Sequence, residues 1–167
     1  MGNSSELKEY RHKVKTDLIN NKTVCELVLN RTILTVDDAD MQSELEDYIY
    51  SFAFVPDVQT EEKTFISFEL KGIAIGRTGL YKNMSLYFYI FSHHNLIRMK
   101  TASGYYNGYL RTDLLDEQIQ QLFNENVEFG RKKLKCVSDD PLVFNNVYYG
   151  RKLTFETQEL NASRCSS

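Results

Sequence analysis

The segment from residue 80 to residue 92 constrains this chain most. Met84, Leu86, Phe88 and Ile90 alternate there with Ser85, Tyr87, Tyr89 and Phe91. In a strand, successive side chains point to opposite faces, so this one carries apolar or aromatic groups on both. A strand loaded in this way needs cover on both sides, from helices of its own chain or from another subunit. Residues 63–75 supply a partner through Phe65, Ile66, Phe68, Leu70, Ile73 and Ile75, and Gly76-Arg77-Thr78-Gly79 between the two runs is turn chemistry. The pair reads as an antiparallel hairpin. With 11 Tyr, 10 Phe and no Trp among 167 residues, the aromatic content itself favours strands. A chain of this length can bury about 70% of the surface it exposes when unfolded. One domain over 1–167 is therefore expected, folded over about 5–161, with 162–167 a flexible polar tail.

Helices are expected on either side of the hairpin. Leu7, Tyr10, Val14 and Leu18 recur at helical spacing within 5–20, and Thr23 is placed to cap a second short helix carrying Val24, Leu27 and Val28. Residues 31–60 are weakly patterned. They are acidic at Asp37, Asp38 and Asp40, apolar from Tyr48 to Val55, and end in a Pro56-Asp57 turn. Residues 93–109, with Gly104 and Gly108 among tyrosines, read as an exposed loop. A central helix follows over about 113–125, with Leu114, Leu115, Ile119, Leu122 and Phe123 on one stripe and Thr112 or Asp113 as its cap. In the C-terminal third, Leu134 and Cys136 alternate with Lys133 and Lys135. Asn145-Asn146 then leads into a strand carrying Val147, Tyr149, Arg151, Leu153 and Phe155. Gly150 within that strand predicts a bulge or a close backbone approach. The order describes an α+β fold: a mostly antiparallel or mixed β-sheet, with N-terminal helices and one central helix packed on it.

Several function classes lose support at this level. The net charge of −3 and pI near 5.7 are not those of a dedicated nucleic-acid-binding domain. No run approaches 18 consecutive apolar residues, so no membrane span is expected. The N-terminus lacks an apolar signal core, and Glu6 stands where a myristoylation pattern needs Ser or Thr. Cys25, Cys136 and Cys165 are an odd, scattered set, which fits a reducing compartment better than a disulfide framework.

Candidate chemistry is sparse. Asp57 with Glu61-Glu62-Lys63 resembles the residue set of Mg-dependent nucleases, where two carboxylates hold the ion and a lysine positions the attacking water. Only three residues separate Asp57 from Glu61, however, whereas those nucleases bring the two parts together from different strands. A charged turn feeding a strand accounts for the same residues. His93 and His94, as neighbours in a strand, should face opposite ways and form no joint site. His12, among Arg11, Lys13 and Lys15, sits on a solvated helix face. There is no nucleophile elbow, and the glycines at 72, 76 and 79 make no phosphate loop. No cofactor is implied.

Two surface features remain. Arg131, Lys132, Lys133 and Lys135 form a basic run, with Arg151 and Lys152 expected on a neighbouring strand and Tyr148 and Tyr149 interleaved. Such a patch suits a solvated strand edge, a protein contact, or a phosphate backbone. Tyr105, Tyr106 and Tyr109 enrich one segment in a residue favoured at interfaces.

The chain as a whole resembles the tail terminator (neck, or tail-completion) proteins of tailed bacteriophages. The likeness rests on N-terminal helices leading to Tyr48-Ile49-Tyr50 and Phe54-Val55-Pro56-Asp57, and on Thr60-Glu61-x-Lys63-Thr64-Phe65-Ile66 opening a strand. It continues through a long central strand from Leu86 to His94 and through Arg111-Thr112-Asp113-Leu114-Leu115 at a helix start. Phe129-Gly130, Lys133-Leu134, Ser138-Asp139 and Tyr149-Gly150-Arg151-x-Leu153-Thr154-Phe155 complete it. The resemblance implies an α+β structural virion protein without catalysis. It implies a ring, typically a hexamer, that caps the tail tube and joins it to the head connector. Its partners would be further copies, the tail tube protein and the head–tail connector proteins, with DNA only passing through the ring lumen. Its place would be the tail or neck of the virion, after assembly in the host cytoplasm. Closing such a ring takes two different patches per subunit. The acidic Asp37, Asp38 and Asp40 and the basic Arg131–Lys135, with Arg151 and the tyrosines at 105, 106 and 109, are the expected interface. A small monomeric interaction module using the tyrosine segment, and a nuclease using Asp57, Glu61 and Lys63, are the competing expectations.

Overall fold

A computed structural model describes residues 4–33, 36, 38–54, 61–74, 81–101, 104–129 and 133–157. The Gly76–Gly79 turn, Asp37, Asp57, Arg131, Lys132, Cys165 and the tail over 162–167 lie outside the described residues. So do the side chains of Tyr105 and Tyr106.

Three helices come first: α1 (Ser4–Ile19), α2 (Lys22–Leu29) and α3 (Ala39–Leu45). Strands β1 (Ile49–Tyr50), β2 (Thr64–Ala74), β3 (Tyr81–His93), β4 (Arg98–Thr101) and β5 (Gly104–Leu110) follow. Helix α4 (Arg111–Phe123) and strands β6 (Leu134–Phe144) and β7 (Tyr148–Thr157) complete the chain. The main sheet runs β1-β2-β3-β7-β6, parallel only between β1 and β2. The fold is α+β, as the element order implied.

The long hairpin forms as expected, with β2 and β3 in antiparallel register from Thr64–Ser92 to Ala74–Tyr81. Met84, Leu86, Phe88 and Ile90 pack into the main core with Val14 and Leu18 of α1, Val24 and Val28 of α2, and Leu115, Ile119 and Phe123 of α4. The described helices all pack on this face. On the opposite face, Phe65, Tyr50 and Tyr148 build a second cluster with Phe54, Phe91, Phe144 and Val147. That cluster covers the His93 end of β3, while Tyr87 and Tyr89 stay half-buried. Among the described residues, the strand is thus covered by helices on one face, and on the other the aromatic cluster covers the His93 end, with Ser85 also buried.

Four local readings are corrected. Asn21, not Thr23, caps α2: its side chain accepts the Val24 N–H at 3.0 Å, and Thr23 falls inside the helix. Residues 98–101 and 104–110 are not a loop but the two strands of a ribbon, in which Arg98 pairs with Leu110 and Lys100 with Tyr105. The unequal spacing leaves extra residues on β5, and Gly108 takes up the irregularity at φ +74°. Glycine-rich sequence concealed a bulged strand there. Helix α4 starts at Arg111 without a side-chain cap. The Arg111 N–H donates instead to the Ile97 carbonyl at 2.7 Å, so neither Thr112 nor Asp113 is needed as a cap. His94 belongs to the turn after β3, so strand alternation does not separate the histidines; their rings lie 4.4 Å apart.

The β6–β7 connection uses Asn145 and Asn146 at φ 51° and 55°, left-handed values that asparagine tolerates. Gly150 shows the expected close approach to β3, and register irregularities sit elsewhere, at Cys136–Ser138 of β6 and Ile73–Ala74 of β2. Pro141, which cannot donate to a ladder, lies on that outermost strand, where proline is tolerated.

Candidate functional site

The acidic half of the expected interface serves a helix. The Asp38 carboxylate accepts the Asp40 N–H at 2.9 Å and the Met41 N–H at 3.4 Å, capping α3, and Asp40 lies in its first turn. Both carboxylates suit the positive end of a helix, and both are exposed.

The basic half divides. Lys133 and Lys135 reach Glu125 at 3.0 and 3.8 Å, and these partners hold the Glu125 carboxyl below its ordinary range. Such exposed pairs stabilise little and leave the lysines at the surface. Arg151 turns to the helix-covered face, because it stands opposite Ile90 in the register. Its Nε donates to Asp139 Oδ1 at 2.7 Å, and it lies 3.7 Å from Asp116 Oδ2. Lys152, one residue on, lies on the open face opposite Tyr89. Strand alternation therefore parts Arg151 from Lys152. Burial pushes the Asp116 carboxyl up to about 6, with Asp139 adding to the shift and Gln120 and Arg151 opposing it. Tyr109 is 53% exposed on β5.

Of the nuclease-like set, Glu61 and Lys63 are described and Asp57 lies outside the described residues. Lys63 Nζ lies 3.3 Å from Glu61 Oε2, but four rings surround it: Phe54 at 5.0 Å, Tyr50 at 5.2 Å, Tyr48 at 5.7 Å and Phe65 at 5.8 Å. It donates to the Tyr50 hydroxyl at 2.7 Å and the Asp47 carbonyl at 2.9 Å. Burial opposes its charge, yet Tyr50 and Glu61 raise the ammonium pKa overall. Lys63 is a cation held by aromatic faces, and it ties the Asp47–Phe54 segment to β2. Among the described residues, no three His, Cys, Asp or Glu side chains converge as metal ligands.

The sequence reading missed two features. Arg111 is only 3% exposed. It donates to the carbonyls of Leu96 and Leu27 at 2.9 and 2.8 Å and to Asn30 Oδ1 at 2.6 Å. It joins the C-terminus of α2 to the turn after β3 from a position 84 residues beyond Leu27, a link that no local pattern announces.

The second feature is the open face of the sheet. Lys152 Nζ sits 5.3 Å from the Tyr87 ring centre and 5.8 Å from that of Tyr89. A cleft of about 640 Å³ adjoins them, lined by Arg11, Phe52, Glu69, Leu70 and Lys71 among others. Phe52 is 56% exposed. The double-sided pattern of residues 80–92 was the signal for this surface. The arrangement offers aromatic faces, mixed charge and an open strand edge, which suit a polypeptide partner.

Among known families, the YomW model matches residues 17–157. No curated protein matches the chain.

Proposed function

The chain belongs to the phage-derived YomW family, and from that premise we propose that it is a structural virion protein of the tail terminator type. In this reading it forms a ring that caps the tail tube and joins it to the head connector. One observation carries the reading beyond phage origin. The helices cover one face of the sheet and leave Tyr87 and Tyr89, beside Lys152, half-exposed on the other. A subunit that acts through assembly needs such a surface, with aromatic residues inside a polar surround. Subunits join head to tail through two different patches. The tail tube protein and the connector proteins meet the two rims, and DNA passes through the lumen. The site of action is the tail or neck of the virion. No cofactor and no catalytic step enter this reading.

Light scattering across a concentration series tests it, together with co-sedimentation on purified tail tubes. A discrete species of about six chains, seen as rings by electron microscopy, is the expected result for a closed cyclic assembly. A protein that stays monomeric and also fails to bind tubes would favour the interaction-module reading. Mg-dependent DNA cleavage lost in Lys63→Ala would favour the nuclease.

A further inference from the structure

Among the described residues, each outer edge of the main sheet has a stretch without a partner strand. Strand β1 pairs with β2 only at Ile66 and Ser67, so Phe68 to Ala74 have no partner strand on that side among the described residues. Strand β6 is outermost on the other side. Leu134 exchanges main-chain hydrogen bonds with Glu125 and Asn126, and the Cys136 N–H donates to Asn124 Oδ1, so its edge has no main-chain partner only from Val137 to Phe144 among the described residues. Open edges of this length are templates for another strand. The cleft beside Lys71 and Phe52 opens on the bare part of β2. The other edge displays Asp140 and Val143, the latter 58% exposed.

We infer that β6 of one copy pairs antiparallel with the bare edge of β2 in the next copy, with Asp140 opposite Lys71. The inference rests on the ring reading and specifies its contact. Strand direction comes first. Strands β2, β3, β7 and β6 alternate, so β6 runs opposite to β2. In a cyclic assembly all copies share one orientation. Placing β6 against the next β2 therefore continues the antiparallel alternation, with the helices on the same face throughout.

Register comes second. Within one copy, Lys135 lies level with Lys71 through Glu156 and Ser85, and Asp140 lies level with Ser67 through Lys152 and Tyr89. An unshifted contact would set Lys135 against Lys71, a like-charge pair that opposes pairing. Advancing the contact until Asp140 meets Lys71 is a stagger of about four residues over four strands. Closed sheets carry a stagger of about one residue per strand. The same register puts Val143 against Phe68 and Pro141 against Leu70. Pro141 removes one donor, so the ladder is carried by residues on either side of it.

Cysteine pairs test this on the full chain, in a Cys136→Ser, Cys165→Ser background. Lys71→Cys and Asp140→Cys are made singly and together, then oxidised mildly and run without reductant. Lys71 and Asp140 are both exposed, and circular dichroism checks that each variant folds. Strands β2 and β6 of one chain stand three strand spacings apart, about 14 Å, too far for an internal disulfide. The expected result is a ladder running past dimer in the double variant, ending at the ring's copy number, and monomer in each single variant. Dimers from Lys71→Cys alone would replace the inference with symmetric β2–β2 pairing. No ladder in a double variant that light scattering still finds as a ring would overturn this contact and leave the ring reading standing. A chain that is monomeric with and without tail tubes would overturn both.

Discussion

Gly150→Ala measures how tightly β7 is held against β3. Gly150 pairs with Phe91. A Cβ built there would lie 1.7 Å from the Ile90 carbonyl oxygen, 2.8 Å from its carbon and 3.1 Å from the Phe91 Cα. The φ of Gly150 is not in the left-handed region, so the demand for glycine is one of space alone. All three obstacles are backbone, which no rotamer change removes. Bringing the methyl to ordinary contact requires β7 to move away from β3 by more than ~1 Å, enough to break the ladder bonds beside it. Two lost bonds at about 1 kcal/mol each, with overpacking of about 1–3 kcal/mol, give a loss of about 3–5 kcal/mol. For a chain of this size 1 kcal/mol moves Tm by roughly 2–4 °C, so the midpoint should fall by about 6–20 °C. Thermal and urea unfolding by far-UV circular dichroism read both quantities. A loss below about 0.5 kcal/mol, the size of an ordinary surface substitution, would refute the close approach.

The other expectations follow from buried polar groups. Arg111→Met should cost about 3 kcal/mol, because the Leu27 and Leu96 carbonyls lose their donor, and Arg111→Lys should recover little, lacking the fork that reaches several acceptors; urea midpoints decide both. Lys63→Met should cost about 2 kcal/mol through lost cation–π contacts and hydrogen bonds, and should change tyrosine fluorescence, which no Trp obscures. Asp116 has a folded pKa of about 6 against an ordinary 3.8, so the folded chain binds the extra proton. Its stabilising contribution is full below pH 4 and is lost as pH rises through 6, by at most about 3 kcal/mol. Asp116→Asn should therefore flatten the urea-midpoint profile between pH 4 and 6, and an unchanged profile would assign the titration elsewhere.

The legible parts of the fold were those with a period. The β2–β3 alternation and the apolar stripes of α1 and α4 specify their own burial. The β4–β5 ribbon was not legible. Its bulge breaks the two-residue period, and glycines mark a turn as readily as a bulge. The start of α4 was hidden because its first N–H is satisfied by Ile97, a tertiary partner, while Thr112 and Asp113 carry the right chemistry for a role they do not fill. The candidate site was harder for the same reason. Charges adjacent in sequence part on opposite faces, as Arg151 and Lys152 do, and Lys63 is held by rings that come from two separate segments, 47–54 and β2.

Those placements change what an assembly argument can rest on. Asp38 caps α3, and Arg151 is engaged by Asp139. Reversing either charge would damage the subunit itself and any contact together, so loss of assembly would not locate an interface. Lys71 and Asp140 are different: both are exposed, and both stand on strands whose outward side has no partner strand among the described residues. Their substitution leaves the core and the caps intact. A main-chain ladder also explains why an interface need not show in composition, since backbone groups supply the affinity and alternate side chains only fix the register. On the ring reading, the edges of the sheet, rather than its most charged segments, are therefore where assembly is best tested.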